Sequence, residues 1–100
     1  MEKSPKKNST SSQWTFLSNH AHVLICLSRN PDLVLRDVAD LVGITERSIQ
    51  KIIRDLEEAG VITKKRIGRR NVYTLHTDTH LRHPVESHCT IKKLIKTIGH

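Results

Sequence analysis

One hundred residues, 36% hydrophobic and 27% charged, suit one soluble domain, and no apolar run approaches the ~18 residues of a membrane span. Lysine and arginine outnumber the acids 17 to 10, a formal charge of +7 with neutral histidine, which points to nucleic acid or another anionic partner. Two cysteines, Cys26 and Cys89, are too few for a disulfide scaffold, and the start Met1-Glu2-Lys3-Ser4-Pro5-Lys6-Lys7 lacks a signal peptide's apolar stretch, so a reduced cytoplasmic setting is expected.

Along the chain, residues 1–13 hold no large apolar side chain after Met1 and read as a disordered arm. From Trp14 the pattern changes. Leu17, Ala21, Leu24, Ile25 and Ser28 recur at helical spacing, with Thr15, Ser18 and Asn19 as candidate N-caps, and Asn30-Pro31 ends that helix. Leu33-Val34-Leu35 fits a brief extended piece. A second helix runs from about Arg36 to Val42, burying Val38, Ala39 and Val42, and Gly43 suits a left-handed stop. Thr45 caps the third helix, Glu46 to Ala59, in which Ile49, Ile52, Ile53 and Leu56 form one narrow apolar face. Gly60 follows. Two strand-like runs, Val61–Ile67 and Asn71–His76, turn at Gly68 and predict a hairpin. After a loop containing Pro84, a last helix is expected from about Val85 to Ile98.

Helix, helix, glycine turn, long helix and basic hairpin, in that order, predict a mainly α winged helix-turn-helix. It has a three-helix core, a two-stranded wing and a C-terminal dimerisation helix. The expected divisions are an arm over 1–13, the DNA-binding domain over 14–84 and the dimerisation helix over 85–100. The excess charge is concentrated: residues 61–71 hold Lys64, Lys65, Arg66, Arg69 and Arg70 and no acid. Such a cluster suits phosphate, where neutralisation releases counterions. A solvated strand edge guarded by cations is the plainer alternative. Arg69 and Arg70, nearest the tip, are candidates for a minor-groove or flanking-phosphate contact, and Asn71 for a bond to backbone or phosphate.

At about 100° per residue, the third helix sets Arg47, Lys51, Arg54 and Glu58 opposite its apolar face, with Gln50 and Ser48 on the flanks. A recognition helix leads with its N-terminal part in the major groove, so Thr45, Arg47, Ser48, Gln50, Lys51 and Arg54 are the candidate readers. Arginine suits guanine O6 and N7, glutamine suits adenine N6 and N7, and Lys51 suits either a base or a phosphate. Glu57 and Glu58 would be repelled by phosphate, which limits entry to the first two turns. An ordinary solvated helix face would carry the same mixture of residue types.

Several runs resemble small prokaryotic winged-helix proteins of the MarR-like group. They are Leu17-Ser18-Asn19-His20-Ala21-His22-Val23-Leu24, Arg36-Asp37-Val38-Ala39, Val42-Gly43-Ile44-Thr45-Glu46-Arg47-Ser48-Ile49-Gln50 and Asp55-Leu56-Glu57-Glu58-Ala59-Gly60. Gly68-Arg69-Arg70-Asn71-Val72-Tyr73 and Leu81-Arg82-His83-Pro84-Val85-Glu86 continue the likeness, which covers about Thr15 to Ile98. The resemblance implies transcriptional regulation as a dimer in a bacterium or archaeon. Full-size members carry further helices that build the dimer and an effector pocket, and this chain has one helix after the wing, so any effector is left open.

The Ile91-Leu94-Ile95-Ile98 stripe of the last helix has no obvious place in the three-helix core. Either a second copy covers it, giving a homodimer with recognition helices roughly 34–36 Å apart, or it folds back on the first helix. Trp14 and Phe16 can join either packing. Seven histidines are many, and His76, His80, His83, His88 and Cys89 fall late. A sensor metal site is the functional reading. The spacing supplies no Cys-x-x-Cys, and His88 and Cys89 face different ways, so no metal or cofactor is expected. No phosphate-binding glycine loop, H-E-x-x-H or G-x-S-x-G occurs, and no enzyme is expected. Two classes survive: a regulator reading double-stranded DNA as a homodimer, its metal-responsive form included, and a winged-helix module for protein or RNA.

Overall fold

The computed structural model describes residues 14–98; the expected arm over 1–13 lies outside them. The chain runs α1 (Asn19–Arg29), α2 (Leu35–Val42), α3 (Glu46–Glu58), β1 (Ile62–Ile67), β2 (Arg70–Leu75) and α4 (Ile91–Ile98). Three helices followed by a two-stranded antiparallel wing make the winged helix-turn-helix fold, with a further helix at the C-terminal end.

Local chemistry sets each boundary. Of the three candidate caps, Ser18 opens α1: its hydroxyl accepts the Ala21 amide at 3.3 Å. Asn30 ends the helix and begins a tight turn, its carbonyl accepting the Leu33 amide and its side chain accepting the Asp32 amide. Gly43 closes α2 at φ 87°, and the amides of Gly43 and Ile44 both donate to the Ala39 carbonyl. Two residues on, the Thr45 hydroxyl accepts the Ser48 amide at 3.1 Å and starts α3. At the far end Gly60, at φ 76°, completes a Schellman turn. Its amide donates to Glu57, the Val61 amide donates to Leu56 at 2.9 Å, and buried Val61 closes the apolar contact.

The core lies where α1, α2, α3 and the root of the wing meet. Val23, Leu24 and Leu27 of α1 pack with Val38 and Ala39 of α2 and with Ile49, Ile52, Ile53 and Leu56 of α3. Val61, Ile62 and Tyr73 carry this core into the hairpin. The strands pair from Ile62 with Leu75 to Ile67 with Arg70, within one residue of the expected bounds. Among the described residues the sheet has two strands. In the place beside β2 the Asn30–Leu33 turn lies alongside, joined by the Tyr73 amide donating to the Pro31 carbonyl at 3.4 Å.

The C-terminal region departs from expectation at the start of its helix, and its stripe divides between the two expected packings. The helix expected from Val85 begins only at Ile91, because residues 82–89 form turns held by their own polar groups. The amides of Leu81 and Ile91 donate to Cys89 and Thr79, the His80 Nδ1 donates to the Ser87 carbonyl, and the His83 Nδ1 accepts the Val85 amide. Thr90 then caps α4 through its hydroxyl, which accepts the Lys93 amide. Part of the α4 stripe takes the fold-back alternative: Ile91 is buried in the chain's own core, and Ile95 packs against the cluster. Leu94 is half-buried and Ile98 is 45% exposed.

Truncating Ile49, which is wholly buried, to alanine should cost about 2–5 kcal/mol in denaturant unfolding. Thr45→Ala should cost about 1 kcal/mol through loss of the cap.

Candidate nucleic-acid interface

Burying Ile49, Ile52, Ile53 and Leu56 turns the other side of α3 to solvent, where Arg47, Ser48, Gln50, Lys51 and Arg54 are all exposed. They are not equally available. Thr45 and Ser48 are engaged with each other, since the Thr45 hydroxyl also donates to the Ser48 hydroxyl at 3.0 Å. Lys51 lies 3.6 Å from Asp55 one turn along, and the His20 Nε2 of α1 sits 2.9 Å from the same Asp55 oxygen. Among the described residues, Arg47, Gln50 and Arg54 hold no such partner.

The His20 bond, first among its causes, holds the Asp55 carboxyl below its ordinary value, against a smaller opposing push from burial. The Lys51 and His20 charges add to the lowering.

The wing distributes its cations over two faces. Side chains alternate along a strand, so Lys64 and Arg66 share the face of Ile62 and Tyr73, while Lys65 and Arg70 share the opposite face. Gly68, at φ 63°, takes a conformation strained for other residues and turns the chain beside Arg69. The Arg66 Nε donates to the Gly68 carbonyl at 3.2 Å. Arg70 is paired with Asp32 of the α1–α2 turn, Nη1 to Oδ2 at 3.3 Å. Asn71 is half-buried, on the same strand face as Tyr73 two residues on. Burial, then the charge of Glu57, pushes the Tyr73 hydroxyl up, and the Asn71 bond partly opposes them.

Sequence reading therefore placed the exposed cations but missed the carboxylates that hold two of them. Lys51 and Asp55, four apart on one helix, carried a readable signal. Asp32 and Arg70 come together only through the fold. The late histidines are tied one at a time, His76 to Thr63, His80 to Ser87 and His83 to Val85. Among the described residues no group of three or more His, Cys, Asp or Glu could hold a metal ion. Cys26 is half-buried, and burial pushes its thiol up despite the nearby Arg29 charge. Phe16, Leu17, Leu24, Leu56, Leu81 and Leu94 line an open groove, which His20, Asp55 and Glu58 also border.

Residues 19–63 match the family described as winged helix-turn-helix DNA-binding. With the fold, this match gives the class: a winged helix-turn-helix domain, similar over residues 19–63 to winged helix-turn-helix DNA-binding domains. Over 63 residues the chain is 29% identical to the uncharacterized protein MJ1254 of Methanocaldococcus jannaschii. That alignment takes in 62% of this chain but 13% of the relative, so the chain spans a small part of that protein's length. No helix among the described residues is long and apolar enough to cross a membrane.

His20→Ala should let the Asp55 carboxyl titrate closer to its ordinary 3.8, as followed by NMR of the side-chain carbon against pH. The sign for stability follows from the lowered folded value. The Asp55 contribution is present above the ordinary carboxylate range and lost as pH falls through the depressed one. His20→Ala should therefore reduce the loss of stability on acidification.

Proposed function

We propose that this chain is a sequence-specific, duplex-DNA-binding transcription regulator that works as a homodimer, and a binding protein with no catalytic role. The observation that carries the DNA reading is the solvent-facing set Arg47, Gln50 and Arg54 on a helix within the segment that matches a DNA-binding family, joined directly to a five-cation wing just beyond that segment. In this reading the N-terminal turns of α3 enter the major groove. Arg47 and Arg54 contact guanine or phosphate, Gln50 adenine, and Lys51 a base or phosphate once it leaves Asp55. Arg69 at the turn, with Lys64, Lys65 and Arg66, meets backbone or minor groove. Thr45 and Ser48 stand at the helix N-terminus, where the helix dipole favours a phosphate.

The dimer part of the proposal rests on what the chain leaves uncovered. Ile91 and Ile95 are used internally, so a second copy is met by Leu94 and Ile98 rather than by the whole stripe. Phe16, 92% exposed, and Trp14 stack edge-on at 4.9 Å beside the same groove and extend that apolar surface. The likeness to MarR-like proteins supports a prokaryotic regulator acting in the cytoplasm as such a dimer.

Selection of bound sequences from a random duplex pool tests the whole proposal. A two-fold-symmetric motif is the expected result. An asymmetric single half-site would remove the dimer, and tighter binding to RNA than to duplex DNA would favour the RNA-binding module. On the selected site, Arg47→Ala or Arg54→Ala should cost about 1–3 kcal/mol if the side chain reads a base, whereas Arg69→Ala should weaken all duplexes alike.

A further inference from the structure

Resting on the DNA-binding reading, we propose that Asp32 is a built-in competitor for the DNA backbone, occupying Arg70 with a carboxylate that a phosphate must displace. The carboxylate is set in place before any ligand arrives. Asn30, Pro31 and Asp32 are residue types suited to a tight turn, and that turn is closed by the Leu33 amide donating to the Asn30 carbonyl at 3.2 Å. The Asp32 amide donates to the Asn30 side chain at 3.1 Å, fixing the backbone from which the carboxylate projects. The turn is in turn held to β2 by the Tyr73 amide on the Pro31 carbonyl. Arg70 thus meets Asp32 across a joint that is already made by backbone.

The pair is weak enough to exchange. Both side chains are more than half exposed, at 57% and 54%, and joined through one nitrogen at 3.3 Å. A pair so placed contributes little net stability. A guanidinium has five N–H donors, and a phosphate can take two of them side by side in a charge-assisted contact. When that exchange occurs, Asp32 is left as an unpaired anion close to the polyanionic backbone. It therefore weakens the contact it vacates. Phosphates carry no base identity, so the penalty falls on every duplex sequence alike. Arg69, the neighbouring cation, has no comparable carboxylate among the described residues. Asp32 and Arg70 together make one wing cation conditional and leave the next one free.

The experiment compares the wild type, Asp32→Asn, Arg70→Ala and the double variant. Binding is measured by fluorescence anisotropy to a selected site and to an unrelated duplex, over a range of salt, with thermal melting as a check on folding. Asparagine keeps the turn and removes only the charge. Asp32→Asn is expected to tighten both duplexes by the same factor, roughly two- to five-fold. Arg70→Ala should weaken both and lower the slope of log affinity on log salt by about one. In the Arg70→Ala background the gain from Asp32→Asn should largely vanish. An unchanged or weakened Asp32→Asn overturns the competitor role, as does an equal gain with and without Arg70, which would be bulk charge alone. A wild type that binds no duplex removes the DNA reading along with it, whereas a wild type that binds beside an unresponsive Asp32→Asn removes the competitor only.

Discussion

The apolar stripe on α3 governs what this protein can present to a partner. Ile49, Ile52, Ile53 and Leu56 recur at the helical repeat, and their burial against α1 and α2 fixes the rotation of the helix about its own axis. Rotation fixed in this way leaves no freedom to the intervening residues: Arg47, Gln50, Lys51 and Arg54 face solvent because the isoleucines do not. The same burial anchors Val61 and Ile62, so the wing grows out of the core and not from a loose linker. The exposed chemistry is a by-product of the hidden chemistry.

Charge on the surface is less free than its total implies. The wing carries five of the chain's cations, but the pleat divides them between two faces and Asp32 occupies one. On α3, Asp55 stands between Lys51 and His20 and draws on both. These pairs are exposed and add little to stability. Their effect is on electrostatics, since each carboxylate lowers the local field that an incoming anion would meet. The helix face reads as a set of selectively open positions, with Arg47, Gln50 and Arg54 available and Lys51 conditional.

Where sequence carried local signals, the fold was legible. Gly43, Thr45 and Gly60 mark the ends of α2 and α3 through backbone geometry and capping that depend on near neighbours alone. The hairpin was legible for the same reason: Gly68 takes a positive φ between two β-branched runs. The C-terminal region was not. Ile91, Leu94, Ile95 and Ile98 form a helical stripe, but the stripe does not say that the residues before it turn back on His83 and Glu86, through the amides of Val85, Glu86 and Cys89, instead of extending the helix. Ile91 was unreadable as core because the surface that receives it is assembled from distant parts of the chain. Among the site residues, exposure of Arg47, Gln50 and Arg54 followed from periodicity, whereas the engagement of Arg70 by Asp32 needed three-dimensional proximity.

The joint between α3 and β1 has a mechanical consequence. Only Ala59, Gly60 and Val61 separate helix from strand, the Schellman turn consumes their amides, and Val61 is buried. There is no slack there. A helix seated in a groove would carry the hairpin with it as a lever of fixed length and angle, and the wing could not search along the backbone for a better phosphate. In the proposed complex, the distance between the bases met by α3 and the backbone met by the wing would then be a ruler built into the protein. A binding site displaced by one base pair in that interval would satisfy the helix or the wing, but not both.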